Sequence, residues 1–241
     1  MSSAAAQQPK FPWDYSSIPD TAFWNSLDGQ VAQTFLSCYS EPEISQLVYI
    51  DSLAPTDEKL RHLQSVLTQT LEARTRDAAP ASLCDIDHAS WRNLKTALAS
   101  IEHARGNLEA AETLTREWYD NGPTKGGKDM SALLALSGLL EEMDRHTEAE
   151  AAAREFLPWI QGHALLGSRE SPQALGCMRL LATSVWKQSR CGEAEDWIVA
   201  CRTAVEGMGT GKFAKYQDDE RRQLESDVED LKEWRRRHEA Q

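Results

Sequence analysis

The sequence predicts an all-α protein built from repeated helix pairs. Three observations predict it. Apolar residues recur at helical spacing along nearly the whole chain, and nothing reads as a strand run with turn punctuation. Three segments echo one another: GNLEAAE at 106–112, RHTEAE at 145–150 and RCGEAE at 190–195. Aligned on Ala111, Ala149 and Ala194 they lie 38 and 45 residues apart, spacings in the range of stacked helical repeats.

Composition narrows the classes of function. The 241 residues are enough for one or two domains, and 41% hydrophobic with 27% charged content is ordinary for a globular chain. A net charge of −12 repels phosphate backbones and anionic lipid surfaces, so neither nucleic acid nor a membrane is an expected partner. The start, MSSAAAQQPKFPWDY, has no basic region followed by an apolar core, and no apolar run approaches the ~20 residues of a membrane-spanning helix. Cys38, Cys84, Cys177, Cys191 and Cys201 are odd in number and form no CxxC pair. Reduced thiols in the cytoplasm are expected, with Cys177 and Cys201 as small apolar residues of a helical core.

In chain order, residues 1–19 read as an extended arm, with Phe11, Trp13, Tyr15 and Ile18 set among prolines. Its FPWDYSSIP stretch carries much apolar surface, to be covered by the protein itself or by another copy or protein. Residues 20–80 form an N-terminal helical region. A helix fits 20–39, with Phe23, Leu27, Val31 and Phe35 at fourfold spacing and Asp20 or Thr21 as cap. A second fits 42–53, with Pro42 in its first turn and Ile44, Leu47 and Val48 on one face. A third fits 56–76, capped by Thr56, with Leu60, Leu63, Leu67 and Leu71 inward, before a linker at 76–82.

From 87 to 209 the chain turns rhythmic. Helix pairs fit 88–105 with 107–120, 129–144 with 147–161, and 172–190 with 193–208. A long charged helix at 214–239 closes the chain as a cap within 214–241. Its apolar side is Leu224, Val228, Leu231 and Trp234, with Asp218, Asp219 and Glu220 in the first turn and RRRH in the last, signs that suit the helix dipole. Each aligned alanine is followed by Glu112, Glu150 or Glu195. Five residues upstream sit Gly106, Asp144 and Ser189 at the turn, and seven before those sit the small Ala99, Ser137 and Ala182. Small residue against alanine lets two helices approach closely. Leu98, Leu136 and Leu181, then Trp118, Phe156 and Cys201, fill the outer contacts. The eight tryptophans, spread along the chain, supply bulk between helices.

The pattern resembles the tetratricopeptide repeat, and the third unit resembles the longer repeats of the kinesin light chain type. There Leu166, Gly167, Pro172, Leu175, Leu181, Ala182, Gln188, Arg190, Glu193, Ala194 and Glu195 match. Ser171 stands where His is usual, Ala174 where Thr is usual and Ser189 where Gly is usual. The resemblance covers about 88–209. Residues 1–80 do not match and are either degenerate repeats or a separate helical cap. The resemblance implies a right-handed helical-repeat solenoid in which the first helix of each pair lines a concave groove.

Placed by offset from the turns, the groove residues are Asn93, Thr96, Ser100 and His103, then Ser131, Leu134, Gly138, Glu141 and Glu142, then Arg179, Thr183, Trp186 and Lys187. This wall lacks the ladder of Lys, Arg and Asn that clamps of acidic C-terminal peptides carry in the family. Trp186 either anchors a partner's apolar side chain or packs against a neighbouring helix. His103 beside Glu141 or Glu142 has the residue types of an acid–base pair, or belongs to a solvated polar groove. Arg179 and Lys187 lie two turns apart on one face and either hold a carboxylate or pair with Glu141 and Glu142.

Other signals are weak. GTGK at 209–212 lacks the full phosphate-loop pattern and a preceding strand, so it reads as a helix stop. His62, His88, His146, His163 and His238 are not at metal-ligand spacing with each other, and neither metal nor cofactor is expected. The leading expectation is a cytoplasmic adaptor that binds a peptide or protein segment in the groove. The alternatives are a cofactor-independent isomerase or cyclase acting on a small apolar molecule through His103, Glu141, Glu142 and Arg179, and a self-associating scaffold such as a homodimer.

Overall fold

The computed structural model describes residues 18–47, 51–124, 126–163 and 166–239. Every regular element among them is helical. The chain divides into two compact units, Lys10–Ala132 and Leu133–Gln241, each described by itself.

In the first unit the expected helix over 20–39 is broken. A single 3-10 turn, Trp24–Ser26, is followed by Leu27 in an extended conformation, and α1 runs only over Gly29–Leu36. The cause is Asp28. Its carboxylate accepts from the backbone N–H groups of Gln30 (2.8 Å) and Val31 (3.2 Å), so it caps a new helix rather than continuing an old one. The second helix also falls short: α2 is Glu41–Gln46, begun where the Ser40 N–H donates to Glu43 Oε2 (2.7 Å) and ended by an extended Leu47. Val48 lies outside the described residues, as do residues 1–17 of the expected arm. Ile18 packs against the unit's core.

The third helix, α3, spans Thr56–Ala78 with Pro55 rather than Thr56 at the cap position. Its Leu60, Leu63 and Leu67 are buried and Leu71 is partly so. A short α4, Leu83–Ile86, follows the expected linker, and then come α5, His88–Ala104, and α6, Leu108–Asp120. Asp87 caps α5 through the Ser90 N–H (3.1 Å). Three bonds set the direction of α1: Lys59 Nζ to Ser26 Oγ (2.7 Å), Tyr39 Oη with Thr70 Oγ1 (3.0 Å), and Arg74 to the Cys38 carbonyl (3.0 Å). These make α1 parallel to α3. The pairing of Arg105 with Asp57 (3.2 Å) makes α3 antiparallel to α5. The N-terminal helices therefore do not form the antiparallel hairpin seen in the pairs that follow.

In the second unit α7 is Ala132–Glu142, α8 His146–Gly162, α9 Pro172–Lys187, α10 Cys191–Gly207 and α11 Gln217–Glu239. Two 3-10 turns, Met208–Thr210 and Ala214–Tyr216, occupy the GTGK region and stop α10. The helices form two layers. Glu141 near the end of α7 meets Ser184 near the end of α9, and Arg179 and Trp186 of α9 meet Asp227 and Arg235 of α11. So α7, α9 and α11 run parallel. Bonds from Arg190 at the close of α9 to Glu150 near the start of α8, and from Arg202 on α10 to Glu225 on α11, make α8 and α10 the antiparallel second layer.

The turn within each pair is one construction used three times. Gly106, Asp144 and Ser189 hold φ of 77°, 56° and 65°. Each donates its N–H to the carbonyl three residues back: His103 (2.8 Å), Glu141 (3.1 Å) and Trp186 (2.8 Å). The next residues, Asn107, Arg145 and Arg190, donate five residues back to Glu102 (2.9 Å), Leu140 (2.9 Å) and Val185 (3.1 Å). That is the Schellman motif, whose left-handed residue is best filled by glycine. Ala111, Ala149 and Ala194 follow at equal distance, all 0% exposed, and Ala99, Ser137 and Ala182 are buried with them. Ser137 Oγ donates to the Ala149 carbonyl (2.9 Å), which holds α7 directly on α8.

Only the first turn has glycine. Ser189→Gly is expected to raise stability by about 0.5–1 kcal/mol, the relief of a left-handed non-glycine residue less the extra freedom of glycine in the unfolded chain. A Cβ at Gly106 would meet nothing within 4 Å, so Gly106→Ala isolates the φ effect and is expected to cost about 1 kcal/mol. Urea denaturation of both variants measures this; an unchanged or lower midpoint for Ser189→Gly contradicts it.

Candidate functional site

The groove face predicted for α5 is partly covered by α1. Asn93 Nδ2 donates to the Ser37 carbonyl (3.1 Å), and Thr96 bonds back to its own helix at Arg92 (2.9 Å). Ser100 and His103 line an open cleft of about 340 Å³ with Asp28, the cap of α1, and Val31 of α1. Ser131 precedes α7, where its N–H donates to Asp129 (3.0 Å), a carboxylate that also receives Trp118 Nε1 (2.9 Å).

In the second unit Glu141 is the centre of a buried polar cluster. Its side chain is 9% exposed. Oε2 accepts from Ser184 Oγ (2.8 Å) and lies 3.0 Å from His146 Nδ1, while Oε1 lies 2.7 Å from Lys187 Nζ. Burial pushes the carboxyl up, but the bonds from Lys187, Ser184 and His146 outweigh it, and the pKa sits below the ordinary glutamate value. The imidazole on Glu141 is therefore that of His146, which begins α8, while His103 belongs to the first unit. Leu134 and Gly138 are half-buried on the same helix and Glu142 is exposed.

Arg179 departs from the expected pairing with Glu141 and Glu142. It forms ion pairs with Glu220 and Asp227 (3.0 Å) of α11. Trp186 is 6% exposed and lies beneath α11, with the Arg235 guanidinium 5.9 Å from its ring. It packs against a neighbouring helix and presents no open face to a partner. Cys177 and Cys201 are core thiols, pushed up to about 12 by burial.

An open cleft of about 340 Å³ lies between α9 and α11, lined by Thr183, Lys187, Asp227, Asp230, Leu231, Trp234 and Arg237. Thr183 and Lys187 are among the residues expected on the first-helix layer, whereas the α11 wall is not. The signal was present: Asp227, Asp230, Trp234 and Arg237 recur at helical spacing along one edge. His146 and Ser184 were missed too, because the bonds that recruit them cross between helices. Among the described residues no three His, Cys, Asp or Glu side chains gather as a metal-ion site, and no helix is long and apolar enough to cross a membrane.

The described residues form two all-helical units, of which the second has two layers and an open cleft on the layer of α7, α9 and α11. Comparison with protein-family models, with curated proteins and with solved structures gives no match.

Proposed function

We propose that the protein is a cytoplasmic adaptor of tetratricopeptide-repeat type, which docks a peptide or protein segment on the layer of first helices. The observation that carries this reading is the open α9–α11 cleft on that layer, where Thr183 and Lys187 face an aromatic and charged edge of α11. The three identical Schellman turns and the buried alanines after them support the repeat assignment. The state of Glu141 favours binding over catalysis. A carboxylate lowered in pKa, hydrogen-bonded on Oε2 and ion-paired with Lys187 at Oε1, is a weak base, and a general base works best with a pKa near the operating pH. The five free cysteines support a reducing compartment.

The test is site-specific photo-crosslinking in extract of the source cells. A photo-reactive phenylalanine replaces Thr183 in one protein and the exposed Glu195 on α10 in another. The expected result is a discrete crosslinked partner from position 183 and none from 195. Equal crosslinking from both positions, or none from 183, rejects docking on the first-helix layer.

A further inference from the structure

We infer that the α9–α11 cleft takes a basic segment of a partner protein, with one Lys or Arg side chain lying along Leu231 and Trp234 and its charged head at Asp230. This rests on the reading of the first-helix layer as a docking surface and adds the chemistry of what docks.

The pairing of charges in the cleft carries the inference. Lys187 is held by Glu141 at 2.7 Å. Asp227 is engaged on both oxygens, by Arg179 (3.0 Å) and by Gln223 Nε2 (2.8 Å). Arg237 lies 3.5 Å from Glu233. Asp230 alone among the cleft's carboxylates makes no ion pair or hydrogen bond among the described residues. Two cations, Lys187 and Arg237, and two carboxylates, Asp227 and Asp230, line the cleft; adding the ion-paired Arg179, Glu141, Glu220 and Glu233 makes three cations to five carboxylates, and the whole chain carries −12. The local field therefore favours a cation, and an incoming carboxylate would have to displace a partner from Lys187 or Arg237.

The cleft also has a floor suited to an aliphatic stem. Asp230 and Trp234 are one helical turn apart, with Leu231 beside them toward α9. Trp234 is stacked on His238, ring centroids 4.1 Å apart, so the indole is held in place before any partner arrives. Lys and Arg lay their methylenes along such surfaces with the charge outward, and a cation near an indole face gains further attraction. Thr183 of α9 lines the opposite wall.

The experiment titrates the ¹⁵N-labelled full chain with acetyl-Ala-Leu-Arg-Ala-Leu-amide and with the same peptide carrying Glu or Gln in place of Arg. The Trp234 indole N–H signal, assigned with Trp234→Phe, reports the cleft. The expected result is that the Arg peptide shifts this signal and binds at least about tenfold more tightly than the Glu peptide at low salt, with the advantage shrinking as salt screens it. Asp230→Asn, at an exposed position, is expected to weaken the Arg peptide about tenfold, the scale of a lost bond to a charged group. Equal binding of the Glu peptide, indifference to Asp230→Asn, or no response of Trp234 to any peptide overturns the inference. A partner crosslinked from position 183 alongside any of those results keeps the docking surface and removes only its basic specificity. Loss of the crosslink removes the surface itself.

Discussion

Glu141→Ala is expected to cost about 3–5 kcal/mol of folding stability, the scale of breaking a buried ion pair by removing one partner. The alanine leaves Lys187 Nζ without its carboxylate and strips Ser184 Oγ and His146 Nδ1 of their shared acceptor. Those three groups come from the start of α8 and from α9, so one side chain ties α7 to both neighbours. Glu141→Gln keeps the shape and an acceptor for Ser184 but not the charge, and is expected to cost less than alanine. Urea denaturation followed by circular dichroism measures both; a loss below about 1 kcal/mol for Glu141→Ala, the size of an exposed pair, would sink the assignment.

The same carboxylate makes stability depend on pH in a defined direction. Its pKa is lower in the folded chain than in the unfolded one. The folded state is then favoured wherever the unfolded carboxyl is ionised, above about pH 4.3. That contribution is lost as the pH falls through the lower, folded value. The stability gap between the natural chain and Glu141→Gln is accordingly expected to be constant near neutrality and to close on acidification. A gap that widens toward low pH contradicts the sign.

Trp186→Ala is the second large effect, at about 3–5 kcal/mol for a buried tryptophan truncated to alanine. The ring is buried beneath α11, so its removal opens a cavity at the α9–α11 contact. Trp186→Phe separates volume from polarity. The indole Nε1 is buried without a hydrogen-bond partner, and phenylalanine removes that unsatisfied donor along with some volume. Its cost is expected below about 1.5 kcal/mol, because an unsatisfied buried N–H is itself a penalty of that order. If phenylalanine costs as much as alanine, the donor has a partner in solution. Trp186 variants therefore test packing, and Thr183 and Asp230 are the positions that test binding.

Legibility in the sequence followed the range of the interaction. The helix pairs from 88 onward were readable to within a few residues, because local periodicity, small residues at close crossings and turn positions all recur along the chain. Ser189 and Asp144 were readable as turn residues from alignment with Gly106 alone. The N-terminal helices were less so. The fourfold spacing of Phe23, Leu27, Val31 and Phe35 suggested one helix, and Asp28 divided it by capping, a competition between two local rules. The ion-pair partners of the candidate residues were not legible. Arg179 and Lys187 were placed on one side of α9, yet one pairs with α11 and the other with α7.

The sequence by itself determined the helical class, the three repeated turns, the buried alanines and the acidic surface, since each depends on residues within a turn or two of one another or on composition. The tertiary structure alone decided that α1 runs parallel to α3, that Trp186 is covered, that Glu141 gathers His146, Ser184 and Lys187, and that α11 makes the second wall of the cleft. Those outcomes depend on which helix faces meet across tens of residues, where many pairings satisfy the same hydrophobic pattern and only mutual packing and the satisfaction of buried charges select one.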